Sequence, residues 1–132
     1  MADLTLLGQG QEALRLLDAR QPLQAEAICR RILASFPKHV ESYAILGRVM
    51  AQTSRHEEAL DLFRRVLGAD PESLDAYIQM ASLYERWGQT QEALWHWQRA
   101  FELMPGNQEV RAGLQRLLPK AGLATANPFK LT

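Results

Sequence analysis

Three histidines and one cysteine are the side chains of this sequence best suited to metal binding or nucleophilic catalysis. None of His39, His56 and His96 has a second histidine or a cysteine at the spacing of a metal site. Cys29 has no histidine at a helical spacing that could serve as its base. We therefore expect no metal site, surface roles for His39 and His56, and a buried structural thiol at Cys29.

Acidic residues cluster where helices are expected to begin. Glu57 with Glu58, and Asp70 with Glu72, mark the first turns of predicted helices, where negative charge is favourable. The sequence contains no glycine-rich loop of the kind that binds phosphate. An enzyme needs a convergent polar pocket, and no such set of residues is indicated. We expect no enzyme activity, no catalytic residue and no cofactor.

Charge and composition exclude several other classes of protein. The 132 residues suit one domain, and their 47% hydrophobic share is enough for a packed core. Lysine and arginine together number 15, as do aspartate and glutamate. This balance argues against a nucleic-acid binder, which normally carries a basic excess on one face. It also argues against a polybasic segment that binds a membrane surface.

The single cysteine and the N-terminal residues indicate the cellular compartment of the protein. One cysteine cannot form an intramolecular disulfide, and small secreted domains usually carry an even number. Residues 1–5 contain no cationic segment and no long apolar run follows them, so a signal peptide is not expected. No stretch approaches the roughly 20 apolar residues of a transmembrane helix. A cytoplasmic protein is the expectation.

A repeat of 34 residues organises the chain. Several independent columns share this period, which is difficult to obtain by chance. The columns are Pro37, Pro71 and Pro105; Ala25, Ala59 and Ala93; Cys29, Phe63 and Trp97; and Tyr43 with Tyr77. Apolar residues within each repeat follow two helical stripes separated by a polar turn. The spacing predicts helices over residues 3–18, 22–35, 39–52, 56–69, 73–86, 90–103 and 107–118, and no strand.

The columns resemble the tetratricopeptide repeat, whose pattern is Trp-x2-Leu-Gly-x2-Tyr, then Ala-x3-Phe, then Pro. The second repeat carries Tyr43, Leu46, Gly47, Met50, Ala59, Phe63 and Pro71 at these positions. The third carries Tyr77, Met80, Ala81, Tyr84, Ala93, Trp97 and Pro105. The first matches in its second helix only, as a terminal repeat with one face in water can. The resemblance covers about residues 4–118.

An all-α fold is what this resemblance implies: a right-handed α-solenoid of three helix-turn-helix hairpins with a C-terminal capping helix. The predicted domain spans residues 1–119, with repeats at about 6–39, 40–73 and 74–107 and the capping helix at 107–118. Val110, Leu114, Leu117 and Leu118 give this helix an apolar stripe. Residues 120–132 have no helical period and are expected to be a tail: disordered, a linker, or a strip that docks on another copy. Small residues such as Gly47 are expected where the two helices of a hairpin approach closely.

Partner binding is the function that the resemblance implies, on the concave wall formed by the first helix of each repeat. The register places a mixed, mildly acidic set of residues on or near that wall: Asp18, Glu41, Ala44, Arg48, Gln52, Asp75, Ile78, Gln79, Ser82, Glu85 and Arg86. One subtype of the family holds a C-terminal carboxylate with Lys and Asn side chains. The corresponding positions here are Gly10, Leu14, Ile45, Asp75 and Gln79, so this clamp is expected to be absent.

Trp95 is a second candidate for contact with a partner. Its register places it on the outward face of the second helix, and an exposed tryptophan often marks a contact surface. The alternative is that it lies across Arg99 or under the capping helix.

The function predicted from the sequence is a protein–protein interaction module that binds a peptide or a partner helix in the concave groove. The alternative is a self-assembling, dimerising adaptor, and either could be the N-terminal part of a larger protein. Helical-repeat RNA binding would need a basic inner wall, which the mapped residues do not provide. The expected partner is a protein or a second copy of the chain, with no nucleic acid and no membrane.

Overall fold

The computed structural model describes residues 5–122, and this range contains helices and no strand. Seven helices follow one another: α1 Leu6–Asp18, α2 Pro22–Ser35, α3 Val40–Gln52, α4 His56–Ala69, α5 Leu74–Arg86, α6 Thr90–Leu103 and α7 Gln108–Leu117. Every predicted helix is present, and all the predicted ends except the first agree to within one residue. The predicted all-α class is confirmed. The predicted tail lies mostly outside the described residues, which reach only Gly122.

The start of α1 differs from the prediction because Thr5 caps the helix. Its hydroxyl accepts a hydrogen bond from the Gly8 N–H at 3.0 Å, and its backbone is extended (φ −68°, ψ 158°). The helix therefore begins at Leu6 rather than at residue 3. The same cap recurs with the 34-residue period at His39, Ser73 and Asn107, which accept from Ser42, Ala76 and Val110.

His39 thus has a structural role that the sequence analysis did not predict. Its Nδ1 accepts a hydrogen bond from the Ser42 N–H at 3.3 Å and lies 2.7 Å from the Ser42 hydroxyl oxygen. Ser42 is fully buried, so this contact satisfies a polar side chain inside the protein. A cap residue rather than a plain surface residue occupies position 39.

Each hairpin turns through one residue in the left-handed region: Arg20 (φ 61°), Ser54 (φ 62°) and Gly88 (φ 80°). The next residue then donates its N–H to a carbonyl five residues earlier, which closes the end of the first helix. These bonds join Gln21 to Leu16, Arg55 to Met50 and Gln89 to Tyr84, at 2.8–2.9 Å. Only Gly88 adopts this conformation without a Cβ clash.

The chain divides into two compact units, Met1–Pro71 and Glu72–Thr132. In the first unit, α1 pairs with α2 and α3 pairs with α4, while α2 and α1 both pack against α3. Phe63 is fully buried here and its ring lies against Gly47 of α3. The close approach predicted at Gly47 is therefore confirmed. The single domain of residues 1–119 stays a prediction.

An ion pair ties the two hairpins of the first unit together. Arg55, at the start of α4, donates to the Glu26 carboxylate of α2 at 2.8 Å, and Arg30 donates to the same carboxylate at 2.9 Å. Glu26 is mostly buried, and the hydrogen bond from Arg55 is the main reason that its pKa lies below the usual range. The α3–α4 turn is therefore held against α2.

The second unit consists of the α5–α6 hairpin with α7 packed on α6. The indole of Trp97 is fully buried, and Gly113 of α7 lies directly against it. Val110, Leu114 and Leu117 are buried as well, so three of the four residues of the predicted apolar stripe cover the hairpin. The helix packs on α6 as the capping role requires.

Gly47→Ala should destabilise the first unit. The new Cβ would lie 2.9 Å from Cζ of Phe63, inside a packed core, and overpacking of this kind costs about 1–3 kcal/mol. Gly68→Ala is the matched control because a Cβ at Gly68, also within a helix, meets nothing within 4 Å. That change should leave stability equal or higher, since alanine favours helix by about 1 kcal/mol. Urea denaturation followed by circular dichroism measures both, and equal midpoints would contradict this packing.

Gly113→Ala should release α7 from α6. A Cβ at this position would overlap the indole of Trp97, which is buried and cannot withdraw into solvent. Hydrogen exchange should then show loss of protection in α7, with the first unit unchanged. Gly106→Ala is the control, because it lies just before α7 and its Cβ would meet no atom within 4 Å. Retained protection of α7 in the Gly113 variant would refute the contact.

Candidate partner-binding surfaces

The candidate surface of the first unit lies on α1 and α3, which are neighbours. At one end of it, Arg48 of α3 approaches Asp18 of α1, with 3.9 Å between Nη2 and Oδ1. Gln52 joins them by donating to the Leu17 carbonyl at 3.4 Å. Three of the predicted residues, from two helices, thus meet at the C-terminal end of α1.

Glu41 and Ala44 occupy the rest of this surface. Glu41 is exposed in the first turn of α3, and its carboxylate faces Gly10 of α1. Ala44 is half-buried between Glu41 and Arg48 along the helix. The surface is therefore narrow and polar, with acids at both ends and a small side chain in the middle.

Arg48 is only weakly engaged by its neighbour. The Asp18 side chain is 74% exposed and the pair is at the limit of ion-pair distance, so the interaction contributes at most a few tenths of a kcal/mol. An incoming carboxylate or carbonyl oxygen could replace Asp18 at little cost.

The candidate residues of the second unit lie on α5, and their side chains differ in how accessible they are to a partner. Asp75 is exposed and accepts a weak hydrogen bond from Gln79 at 3.4 Å, while Arg86 is exposed at the C-terminal end of the helix. Ser82 is half-buried. Ile78 requires a correction: it is only 7% exposed, so its side chain belongs to the apolar packing rather than to an accessible surface.

Glu85 is held by α7. Arg116 donates from Nε and Nη2 to the two oxygens of the Glu85 carboxylate, at 2.8 and 3.0 Å. This paired hydrogen bond from Arg116 is the main reason that the pKa of Glu85 is lowered. Sequence reasoning missed this role because the two residues are 31 positions apart and no local pattern connects them. Glu85 therefore fixes the capping helix.

Trp95 lies under a cation, as one of the two alternatives predicted. It is 50% exposed, and the Arg99 guanidinium stands 5.1 Å from the centre of its ring. His96 meets the Trp95 ring edge-on at 4.8 Å between centroids and also contacts the Tyr84 ring at 5.1 Å. Trp87 is 40% exposed and stacks on Tyr84.

The aromatic rings of the second unit therefore form one continuous cluster, which the sequence analysis did not predict. A usable signal existed, because Tyr77 and Tyr84 are seven residues apart on one face of α5. His96 was considered only as a metal ligand, whereas its Nδ1 donates to the Glu92 carbonyl at 2.7 Å and its ring joins the cluster.

The remaining chemically capable groups are structural. Cys29 is buried in α2, and burial raises the pKa of its thiol to about 12, so the reactive thiolate is not populated near neutral pH. Within residues 5–122, no group of three or more histidine, cysteine, aspartate or glutamate side chains is arranged to hold a metal ion. None of the helices in that range has the length and apolar character needed to cross a bilayer.

The sequence model of the tetratricopeptide repeat family matches residues 11–73, which span most of the first unit. The crystal structure of MamA has the same fold, with a TM-score of 0.80 at 18% identity, over 89% of this chain and 68% of that one. Residues 11–73 are thus assigned to the tetratricopeptide repeat family by sequence, and the fold of the chain is that of tetratricopeptide repeat structures. No curated protein sequence matches it significantly.

Other solved tetratricopeptide repeat structures agree in fold. The crystal structure of YrrB, described as a TPR protein with an unusual peptide-binding site, gives a TM-score of 0.75 at 24% identity. It is matched over 90% of this chain and 61% of that one. A mutant of the Thermobaculum terrenum O-GlcNAc transferase gives a TM-score of 0.77 at 23% identity, over 83% of this chain but only 21% of the transferase chain. At these identities the likeness concerns the fold alone.

Glu85→Gln should lower stability in a pH-dependent way. The carboxyl pKa is lowered in the folded state, so the ion pair stabilises the protein above the ordinary carboxyl pKa and is lost as pH falls through the lowered value. At neutral pH we expect a loss of a few tenths to about 1 kcal/mol, since Arg116 is half exposed. The difference between variant and wild type should vanish in acid.

Urea midpoints measured across the acid range test this expectation. Glu102→Gln is the control, because the Glu102–Arg99 pair joins two exposed residues of one helix and should contribute less. A difference for Glu85→Gln that stayed constant with pH would show that the ion pair is not its cause.

Proposed function

We propose that this protein is an interaction module built of tetratricopeptide repeats, which holds a peptide or a partner helix against the first helices α1 and α3 of its first unit. The observation that carries the proposal is the polar surface on α1 and α3, where Arg48 is only weakly paired above a largely apolar core. A packed interior with an accessible, weakly paired cation is suited to reversible binding of polar groups. The peptide-binding site named for YrrB supports a ligand of this kind.

The partner in this proposal is not recognised through a C-terminal carboxylate. Ile45 is buried, Gly10 has no side chain, and Asp75 would repel an anion. Asp18 and Glu41 of the first unit instead favour a segment with basic or polar side chains, while Arg48 favours an occasional acid or a carbonyl oxygen. The module has no catalytic role in this proposal, and its partner is a protein of the cytoplasm rather than nucleic acid or membrane.

A self-assembling adaptor is the second candidate function. It is favoured by three large apolar side chains that are exposed on the first hairpin: Leu7 at 68%, Leu23 at 70% and Phe36 at 51%. Exposed apolar groups on a terminal hairpin can bury themselves against a second copy.

A peptide selection with matched variants tests the proposed surface. Peptides selected from a random library on the intact chain are measured by calorimetry against wild type, Arg48→Ala/Arg86→Ala and Arg31→Ala/Arg99→Ala. The first variant should bind at least about tenfold more weakly, since it loses the charge-assisted contact made by Arg48. The second removes two exposed cations from the second helices α2 and α6 and should bind like wild type.

The outcomes separate the surfaces and the functions. Loss of binding in the Arg31/Arg99 variant alone would move the site to the second helices and contradict the proposal. Light scattering on the same samples reports dimers, which would favour the self-assembling adaptor if they formed without any peptide.

A further inference from the structure

A groove on the outer side of the first unit runs between α2 and α4, with α3 as its floor. We infer that this groove binds one aromatic side chain of a partner protein, next to a cationic residue of the same partner. The groove is separate from the α1–α3 surface of the proposed function, and the inference does not depend on that proposal.

The shape of the groove suits one large side chain. Its volume is about 300 Å³, at the lower end of the range for pockets that hold small ligands. Tyr43, Leu46 and Met50 of α3 line the floor, and Leu33 of α2 and Leu62 of α4 line the walls. An aromatic ring gains more from burial on such an apolar floor than any other side chain of similar reach.

The corresponding register of the second unit is already filled with rings. A shift of 34 residues takes Met50 and Leu62 to Tyr84 and His96, whose rings lie 5.1 Å apart. The same shift takes Asp61 to Trp95, whose ring meets His96 at 4.8 Å. Where the second unit packs rings supplied by its own chain, the first unit has an open groove with an apolar floor.

An arginine at the groove supplies a platform for a ring. Arg65 occupies the register of Arg99, the residue whose guanidinium covers Trp95 in the second unit. In the first unit the Arg65 guanidinium lies 5.3 Å from the centre of the Tyr43 ring, and Tyr43 is fixed because its hydroxyl donates to the Pro37 carbonyl at 2.6 Å. A ring entering the groove would therefore find a guanidinium at the register that covers Trp95 in the second unit.

Acidic residues at the rim of the groove are the reason that we expect a lysine or arginine beside the aromatic residue of the partner. Glu58 and Asp61 line the α4 side and are exposed. Asp61 pairs with Arg64 at 2.9 Å, but both side chains are largely exposed, so this pair exchanges readily with solvent and with ligands. The lining also contains Arg30 and Arg65, so it is formally neutral overall, but the two carboxylates lie together on α4. A lysine or arginine that neighbours the inserted ring can pair with them.

Fluorine NMR with a defined peptide tests the inference. The probe is a blocked tetrapeptide that contains 5-fluorotryptophan followed by lysine, titrated with the intact chain. We expect a saturable shift of the fluorine signal, and amide shifts confined to α2, α3 and α4. The same peptide with leucine in place of fluorotryptophan, followed through the protein amides, should bind several-fold more weakly.

Asp61→Trp is the decisive variant, because it places in the first unit the side chain that the second unit carries at this register. This variant should fold, and its new indole should fill the groove. Its affinity for the probe should fall by at least about tenfold, as expected when an anchor pocket is occupied. Glu57→Trp is the control, since this residue of the same helix does not line the groove, and it should bind like wild type. Arg65→Gln, on an exposed side chain, gives a second test that does not depend on the new tryptophan and should weaken binding several-fold.

The inference is overturned if Asp61→Trp folds and binds the probe like wild type, if Arg65→Gln has no effect, or if the leucine peptide binds equally well. Amide shifts on the α1–α3 surface instead of the groove would overturn it too. Arg48→Ala/Arg86→Ala should bind the probe normally, so failure of the groove and failure of the proposed function are distinguishable.

Discussion

The contact between a large buried ring and a residue without a side chain governs the packing of both units. Phe63 lies against Gly47 in the first unit, and Trp97 lies against Gly113 in the second. In each case the ring fills a space that exists only because the facing position has no Cβ atom. Protein interiors are close-packed, so the ring and a Cβ atom could not both fit there. The distance between the helices is therefore set by one pair of residues, and the remaining core side chains adapt to it.

This dependence explains why so much of the fold could be predicted from the sequence. A repeat constrains the same positions each time, so the column of Cys29, Phe63 and Trp97 marks the core through its spacing alone. The caps at Thr5, His39, Ser73 and Asn107 follow the same period but differ in chemistry, and His39 is an uncommon cap, which is why they were not recognised as a column. The left-handed residues were predictable only at Gly88, because Arg20 and Ser54 adopt that conformation against their own preference.

The candidate surfaces were less predictable, because exposure and pairing depend on contacts between distant parts of the chain. Register placed Glu85 and Ile78 on the same wall as Arg48, yet Glu85 is held by Arg116 and Ile78 is buried. Neither fact follows from helical spacing, since one depends on α7 and the other on the packing around α5. Arg48 is only weakly paired because its one ion-pair partner in the described range, Asp18, is itself exposed.

The two units show how a fixed core leaves function to the positions around it. Phe63 and Trp97 both fill the core column, and Ala59 and Ala93 both stay small, because any other choice would alter the spacing of the helices. Positions 61 and 62 are under no such constraint, and the equivalent positions of the two units carry different side chains. In the second unit they carry Trp95 and His96, which complete a self-contained aromatic cluster. In the first they carry Asp61 and Leu62, which supply no ring, beside a groove whose floor holds Tyr43 with Leu46 and Met50, and this groove is suited to receive a further ring from elsewhere.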